Sequence, residues 1–279
     1  MPERQCSLAD IHRVELDILK FFKHVCEKNN IRYRLTYGTL LGAVRHNGFI
    51  PWDDDIDVTI PAEEIEKFMK GFAAENSDLY TLSTVKTEEV PLVPWLKIRK
   101  NHTASVPKSL LGIPGHWGIG MDIFPMFPVG KTAFAKAVKI RSFGVADTLL
   151  RAGTARYTDG AGAGLKILGK VPVPCRRFAV RGLLALLASG DTASAEISDG
   201  FDVFKRKDFF GEAVRLPFED DVFDAPKAYD GILTKMYGDY MTLPPENERI
   251  GHDGENGEIL WSVESGPEKF RETLRKDRQ

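Results

Sequence analysis

The sequence predicts a mixed α/β (α+β) fold, a β-sheet core with flanking helices and a helical insert. Three observations predict it. The stretch Tyr37 to Ile60, YGTLLGAVRHNGFIPWDDDIDVTI, passes from a small-residue turn into a run that alternates polar and apolar with period 2. Helix-period apolar stripes occupy the segments before and after it. Beyond residue 130 the chain becomes Ala/Leu-rich and helical. The expected organisation is a catalytic core over 1–130, a helical insert over 131–210 that faces either an acceptor or a membrane, and a C-terminal hairpin and helices over 211–279 that complete the site.

In chain order, Ser7 to Lys28 reads as an amphipathic helix. Ser7 and Asp10 form a capping box, and Ile11, Val14, Ile18, Phe21, Phe22 and Val25 make the stripe. Ile31 to Tyr37 reads as a strand, Gly38-Thr39 as a turn, and Leu40 to Arg45 as the opening of a helix. A glycine turn there lets backbone N–H groups approach an anion at the helix start. Asp55-Ile56-Asp57-Val58-Thr59-Ile60 is the next strand. It projects Asp55 and Asp57 from one face, about 6–7 Å apart by strand rise. Two such carboxylates suit one hard cation, Mg²⁺ or Mn²⁺, because Mg²⁺ is usually held by one or two carboxylates plus substrate phosphates. A solvated loop is the commoner meaning of an aspartate run. Here the run lies between Trp52 and the Ile56/Val58/Ile60 alternation, which half-buries it. A calcium loop fails because Val58 stands where the sharp turn needs glycine.

Pro61 to Ala74 reads as a helix with proline in its first turn, and Leu79 to Val85 as a strand. In the strand Leu92 to Arg99, Leu96 and Ile98 face one way while Trp95, Lys97 and Arg99 face the other. Those two cations are either solvated or set against a phosphate. Gly118 to Phe124 is an apolar strand carrying one carboxylate, Asp122. It is costly to bury unless it is salt-bridged or bound to metal. His116 lies in the Gly/Pro-rich loop before it. In the insert, Lys166, Lys170, Arg176, Arg177 and Arg181 mix with apolar residues, giving either a packed subdomain or a membrane-surface face through 165–187. Val214 to Phe223 reads as a hairpin around Glu219-Asp220-Asp221, and Asp224 with Pro226 as a helix start. Tyr237 and Tyr240 are either pocket walls or core.

The stretch GTLLGAVRHNGFIPWDDDID resembles the signature of the LicD/fukutin family, a branch of the nucleotidyltransferase-fold superfamily. Lys97-Ile-Arg99, Asp122-Ile-Phe-Pro125 and YGDYM…PP…H, ending at His252, resemble further family segments. The resemblance covers 33–60, 95–125 and 217–252, and 130–210 has no counterpart in it. It implies a nucleotidyltransferase-like core and transfer of a phospho-alcohol, typically phosphocholine, from a CDP-alcohol donor to a hydroxyl of a glycan or lipid-linked glycan. In that reading Asp55, Asp57 and Asp122 are catalytic and hold the metal with support from Asp53. Asp122 also accepts the hydroxyl proton. Gly38, Thr39, Arg45, Lys97, Arg99 and His252 meet the donor. Two rivals stand beside it: a nucleotidyltransferase that moves NMP from an NTP and shares the Gly-Thr and Asp-x-Asp parts, and a non-catalytic glycan-binding scaffold, which has no physical need for Asp55, Asp57 and Asp122 to converge.

Composition sets the bounds. The 279 residues carry a net charge of −2, so no nucleic-acid footprint is expected. No run of 18 apolar residues and no apolar stretch near the N-terminus appear, so neither a membrane span nor a secretory signal is expected. Cys6, Cys26 and Cys175 have no metal or redox spacing and fit a reducing cytoplasm. A cytoplasmic protein, at most peripheral at the inner face of the plasma membrane, is the expectation.

Overall fold

The computed structural model describes residues 6–152, 163–190, 194–251 and 259–276. Helix α1 (Leu8–Lys28) begins where the sequence places it, with the Ser7/Asp10 capping box formed in both directions. Its Ile18, Leu19, Phe22 and Val25 are fully buried. Strand β1 is only Arg34–Leu35, and helix α2 spans Tyr37–Arg45. The predicted strand to Tyr37 is cut short because Tyr37 takes a left-handed backbone, φ 46°. An extended ladder does not pass through that conformation.

Strand β2 (Asp57–Pro61) leads through a short 3-10 turn into α3 (Ile65–Glu75). Strands β3 (Tyr80–Ser83), β4 (Leu96–Lys100), β5 (Ala104–Pro107) and β6 (Gly120–Pro128) follow. The insert contributes α4 (Ala133–Arg151), α5 (Ala163–Leu168) and α6 (Val173–Ala188). It then returns two short strands, β7 (Glu196–Ser198) and β8 (Val203–Lys205), before α7 (Arg206–Phe210). Hairpin β9–β10 (Ala213–Phe218, Asp221–Pro226), helix α8 (Tyr229–Tyr237), strand β11 (Ile259–Ser262) and helix α9 (Glu268–Lys276) complete the chain. Asp224 and Pro226 finish β10 instead of opening a helix, so α8 starts three residues later than predicted.

The main sheet runs β1-β2-β6-β4-β3, with β7 and β8 extending from β6. Among the described residues of this sheet only β2 and β6 pair in parallel; the other pairs are antiparallel. The alternation along β4 and β6 assigns the two faces. Leu96, Ile98, Met121 and Ile123 join the main core with α1 and α3. The residues between them, Lys97 and Asp122, belong to the opposite face. No helix among the described residues is long and apolar enough to cross a membrane. Cys26 lies in the core and Cys175 is exposed.

Candidate active site

Strand register builds the site. Across three neighbouring strands, Asp57 of β2 stands beside Asp122 of β6, and Asp122 stands beside Lys97 of β4. Lys97 Nζ lies 2.7 and 2.8 Å from the two Asp122 carboxylate oxygens. A row of Asp57, Asp122 and Lys97 thus crosses the open face of the sheet.

The segment before β2 adds two more acids. Asp53, Asp55 and Asp57, at every second position, line a cavity of about 650 Å³ together with Asp122. Asp54, between them, is buried elsewhere and is not on the cavity wall. Local contacts hold this segment in place. The Asp122 N–H donates to the Ile56 carbonyl at 2.8 Å, and the His12 ring bonds the Asp53 carbonyl at 2.7 Å while stacking on Phe49. Asp55 lies just outside the ladder, which begins at Asp57, yet it reaches the same cavity.

Helix α2 supplies the opposite wall through Tyr37, Gly38 and Leu41. Gly38 is required by a close approach, because a Cβ there would sit 2.5 Å from Asp53 Oδ2. Thr39 is buried behind the wall, where its hydroxyl accepts the Asp57 N–H at 2.8 Å. It braces the start of β2 and does not line the cavity. The left-handed Tyr37 is pinned by its own hydroxyl, which donates to Asp199 at 2.5 Å. Backbone strain of this kind persists only where surrounding contacts enforce it.

The remaining expected site residues lie elsewhere. Arg45 donates to the Tyr240 carbonyl at 2.8 Å and lines none of the cavities described here. Arg99 lies in a neighbouring pocket with Lys97, His116 and Trp117, and bonds the Gly118 carbonyl at 3.0 Å. Its guanidinium faces Trp117. His252 lies outside the described residues. Of the two tyrosines, Tyr237 lines the acidic cavity, whereas Tyr240 is buried core with its hydroxyl on Asp230.

Sequence reasoning missed most of the cavity's apolar side. Trp52, Trp95, Phe124, Phe201, Tyr237 and Ile250 form it. Trp95 packs on Phe124 at 5.0 Å, and both touch Phe201. Phe124 was legible, because it follows Asp122 by two along one strand and shares its face. Phe201 comes from the turn between β7 and β8, and no local pattern announces it.

Electrostatics fit a cation. Asp57 is driven well above the usual carboxylate range by burial, then by Asp55, Asp122 and Asp53, while Lys97 opposes the rise. Beneath the segment, Glu15 of α1 is fully buried and raised in the same way, by burial and then by Asp55, Asp54 and Asp53. Like charges held this close resist ionising together. A divalent cation relieves that repulsion, and the donor set is all oxygen, as Mg²⁺ requires. Among the described residues no three His, Cys, Asp or Glu side chains form a ready-made metal cage.

Residues 30–139 match the LicD/FKTN/FKRP nucleotidyltransferase domain. The chain carries a LicD-family domain. It is 27% identical over 268 residues to the lipopolysaccharide cholinephosphotransferase LicD of Haemophilus influenzae, covering 92% of this chain and 100% of that one. It is also 49% identical over 41 residues to human ribitol 5-phosphate transferase FKRP, 15% of this chain and 8% of that protein. An uncharacterized Rickettsia typhi protein is 37% identical over 73 residues, 23% of this chain and 24% of that one. The LicD domain contains every cavity carboxylate, while the aromatic walls Phe201 and Tyr237 come from beyond it.

Proposed function

We propose that the protein transfers a phospho-alcohol, phosphocholine first among the candidates, from a CDP-activated donor to a hydroxyl of a cell-surface glycan or its lipid-linked precursor, releasing CMP. The observation that carries this reading is one cavity with an acidic floor and aromatic walls. Asp53, Asp55, Asp57 and Asp122 form the floor, and Trp52, Trp95, Phe124 and Tyr237 stand over it. The two relatives whose names give an activity transfer phosphocholine and ribitol 5-phosphate.

In the proposed reaction the acceptor oxygen attacks the phosphorus that carries the alcohol. The new O–P bond forms as the bond to the bridging oxygen breaks, and CMP leaves with that electron pair. Mg²⁺ held by Asp55, Asp57 and Asp122 would neutralise charge on the attacking and leaving oxygens. The acceptor proton must pass to a carboxylate. Asp122 can take it: its Oδ2 accepts from Lys97 at 2.8 Å, while its buried Oδ1 has no hydrogen-bond partner among the described residues. Lys97 keeps Asp122 in position. Gly38 leaves room for Asp53, and the aromatic faces suit a quaternary ammonium.

The test is product analysis. The purified protein is incubated with Mg²⁺ and, in turn, CDP-choline, CDP-ribitol, CDP-glycerol or CTP. CMP from one CDP-alcohol, lost in EDTA, supports the proposal and names the donor. Pyrophosphate from CTP would move the protein to the NMP-transferase class. Silence from all four, even with acceptor glycan added, would favour the scaffold reading.

A further inference from the structure

The chain's charge is divided unevenly. Of 38 basic and 40 acidic residues, eleven and two fall in 131–190, so this stretch is strongly positive and the remainder strongly negative. The helices that carry the positive charge also expose apolar side chains. On α6, Cys175, Phe178, Ala179, Gly182 and Leu186 are all exposed. Their spacing of three, four and seven residues places them in one stripe, and it contains no charged residue. Phe178 is 80% exposed, Ile167 on α5 65%, and Phe134 on α4 79%. A helix on the surface of a water-soluble domain normally turns its polar side outward. Here the outward side is apolar, and Lys166, Lys170 and Arg181 of the same insert are exposed too, while Arg177 turns inward to the Glu88 and Glu89 carbonyls.

We infer that α4–α6 form a membrane-resting face, whose occupant is an anionic lipid surface. Basic residues beside exposed aromatic and aliphatic groups are the chemistry of an interfacial helix. The charge complements anionic headgroups, and the apolar stripe enters the acyl boundary. At 16 residues α6 lies on a bilayer and does not span it.

The position of this face in the fold adds a second argument. Arg181 and Leu184 of α6 line a groove of about 350 Å³ with Met69, Phe127 and Trp95. Trp95 is also a wall of the acidic cavity. Phe143 of α4 packs on Phe201, another cavity wall, at 5.2 Å. The lipid-facing helices therefore border the site, where a lipid-linked acceptor would arrive. The inference goes beyond the proposed reaction and is read without turnover, so either can fail alone.

The experiment is co-sedimentation of the full chain with vesicles of phosphatidylcholine alone, or mixed with phosphatidylglycerol, at low and high salt. The expected result is binding to the anionic vesicles only, weakened by salt. Each basic residue near such a surface is worth about a fivefold change in partition. Lys166→Gln, Lys170→Gln and Arg181→Gln together should therefore weaken binding on the order of a hundredfold. Ile167→Glu with Phe178→Glu should abolish it while leaving the thermal melt unchanged, since both side chains are exposed. No binding to anionic vesicles would overturn the inference. So would binding that survives the two Glu substitutions but is competed by soluble polyphosphate, because the face would then read anions alone. A solution dimer made monomeric by Phe178→Glu would also overturn it, because a second copy would then be the occupant.

Discussion

Replacing Gly38 with alanine separates catalysis from folding at a single atom. The added Cβ would lie 2.5 Å from Asp53 Oδ2, where real contacts of this kind stay beyond 3.0 Å and ordinary ones beyond 3.4 Å. The Asp53 carboxylate must therefore move by about 0.5–0.9 Å, the difference between those distances. The next contact, Asp53 Cγ at 3.6 Å, is already ordinary, so only the end of a side chain has to give. Gly38 sits in the first turn of α2 and lacks a positive φ. Alanine there offsets the clash by roughly 0.5–1 kcal/mol of helix preference. The melting temperature should thus stay within a few degrees of wild type. Catalysis has no such tolerance, because a displacement near 1 Å at a reacting centre costs on the order of a hundredfold. CMP release from the active CDP-alcohol should fall roughly ten- to a hundredfold. Gly144→Ala, inside α4 and meeting nothing within 4 Å, is the control: it should leave CMP release unchanged and raise the melting temperature slightly through the same helix preference. A Gly38→Ala protein with full activity would show that Asp53 and the α2 wall have no part in the reaction.

Four further outcomes follow from the same geometry. Asp57→Asn should abolish transfer and raise stability at neutral pH, because it removes a buried carboxylate that its neighbours oppose; thermal melts with activity assays check both. Asp57 and Glu15 are raised in the folded state, so folding stability should fall as pH climbs from their ordinary values near 4 through their folded ones. Asp57→Asn and Glu15→Gln should each flatten that slope in denaturant titrations. Lys97→Met leaves the half-buried Asp122 carboxylate without its cation and should cost about 1–3 kcal/mol, discounted because Lys97 is partly exposed. Tyr237→Ala should raise the KM for CDP-choline several-fold more than for CDP-ribitol, since only choline offers a cation to the ring.

The floor of the site was legible in the sequence because it obeys short periods. Asp55 and Asp57 alternate with Ile56 and Val58, and Lys97 alternates with Leu96 and Ile98, so spacing alone assigned their faces. Asp122 stood out as a lone charge in an apolar run, and both readings of it retain support, since it pairs with Lys97 and lines the acidic cavity. The Ser7/Asp10 capping box was likewise local and formed as read. What depends on long-range packing was not legible. Arg45 looked like a donor contact, yet its partner is a carbonyl 195 residues away. Thr39 looked like a phosphate donor, yet its hydroxyl is buried against the Asp57 N–H. The strand predicted to run to Tyr37 stopped early for a backbone angle that no periodicity encodes. Phe201 joins the cavity only because β7 pairs with the far end of β6.

The central claim is tested most directly by single-turnover CMP release from CDP-choline in the presence of acceptor glycan, with wild-type protein and Asp57→Asn side by side, in Mg²⁺ and in EDTA. The predicted result is CMP in step with phosphocholine on the acceptor for wild type in Mg²⁺, and none in the other three conditions. CMP formed equally by Asp57→Asn, or by wild type in EDTA, would contradict the assignment of this carboxylate cluster as the catalytic centre.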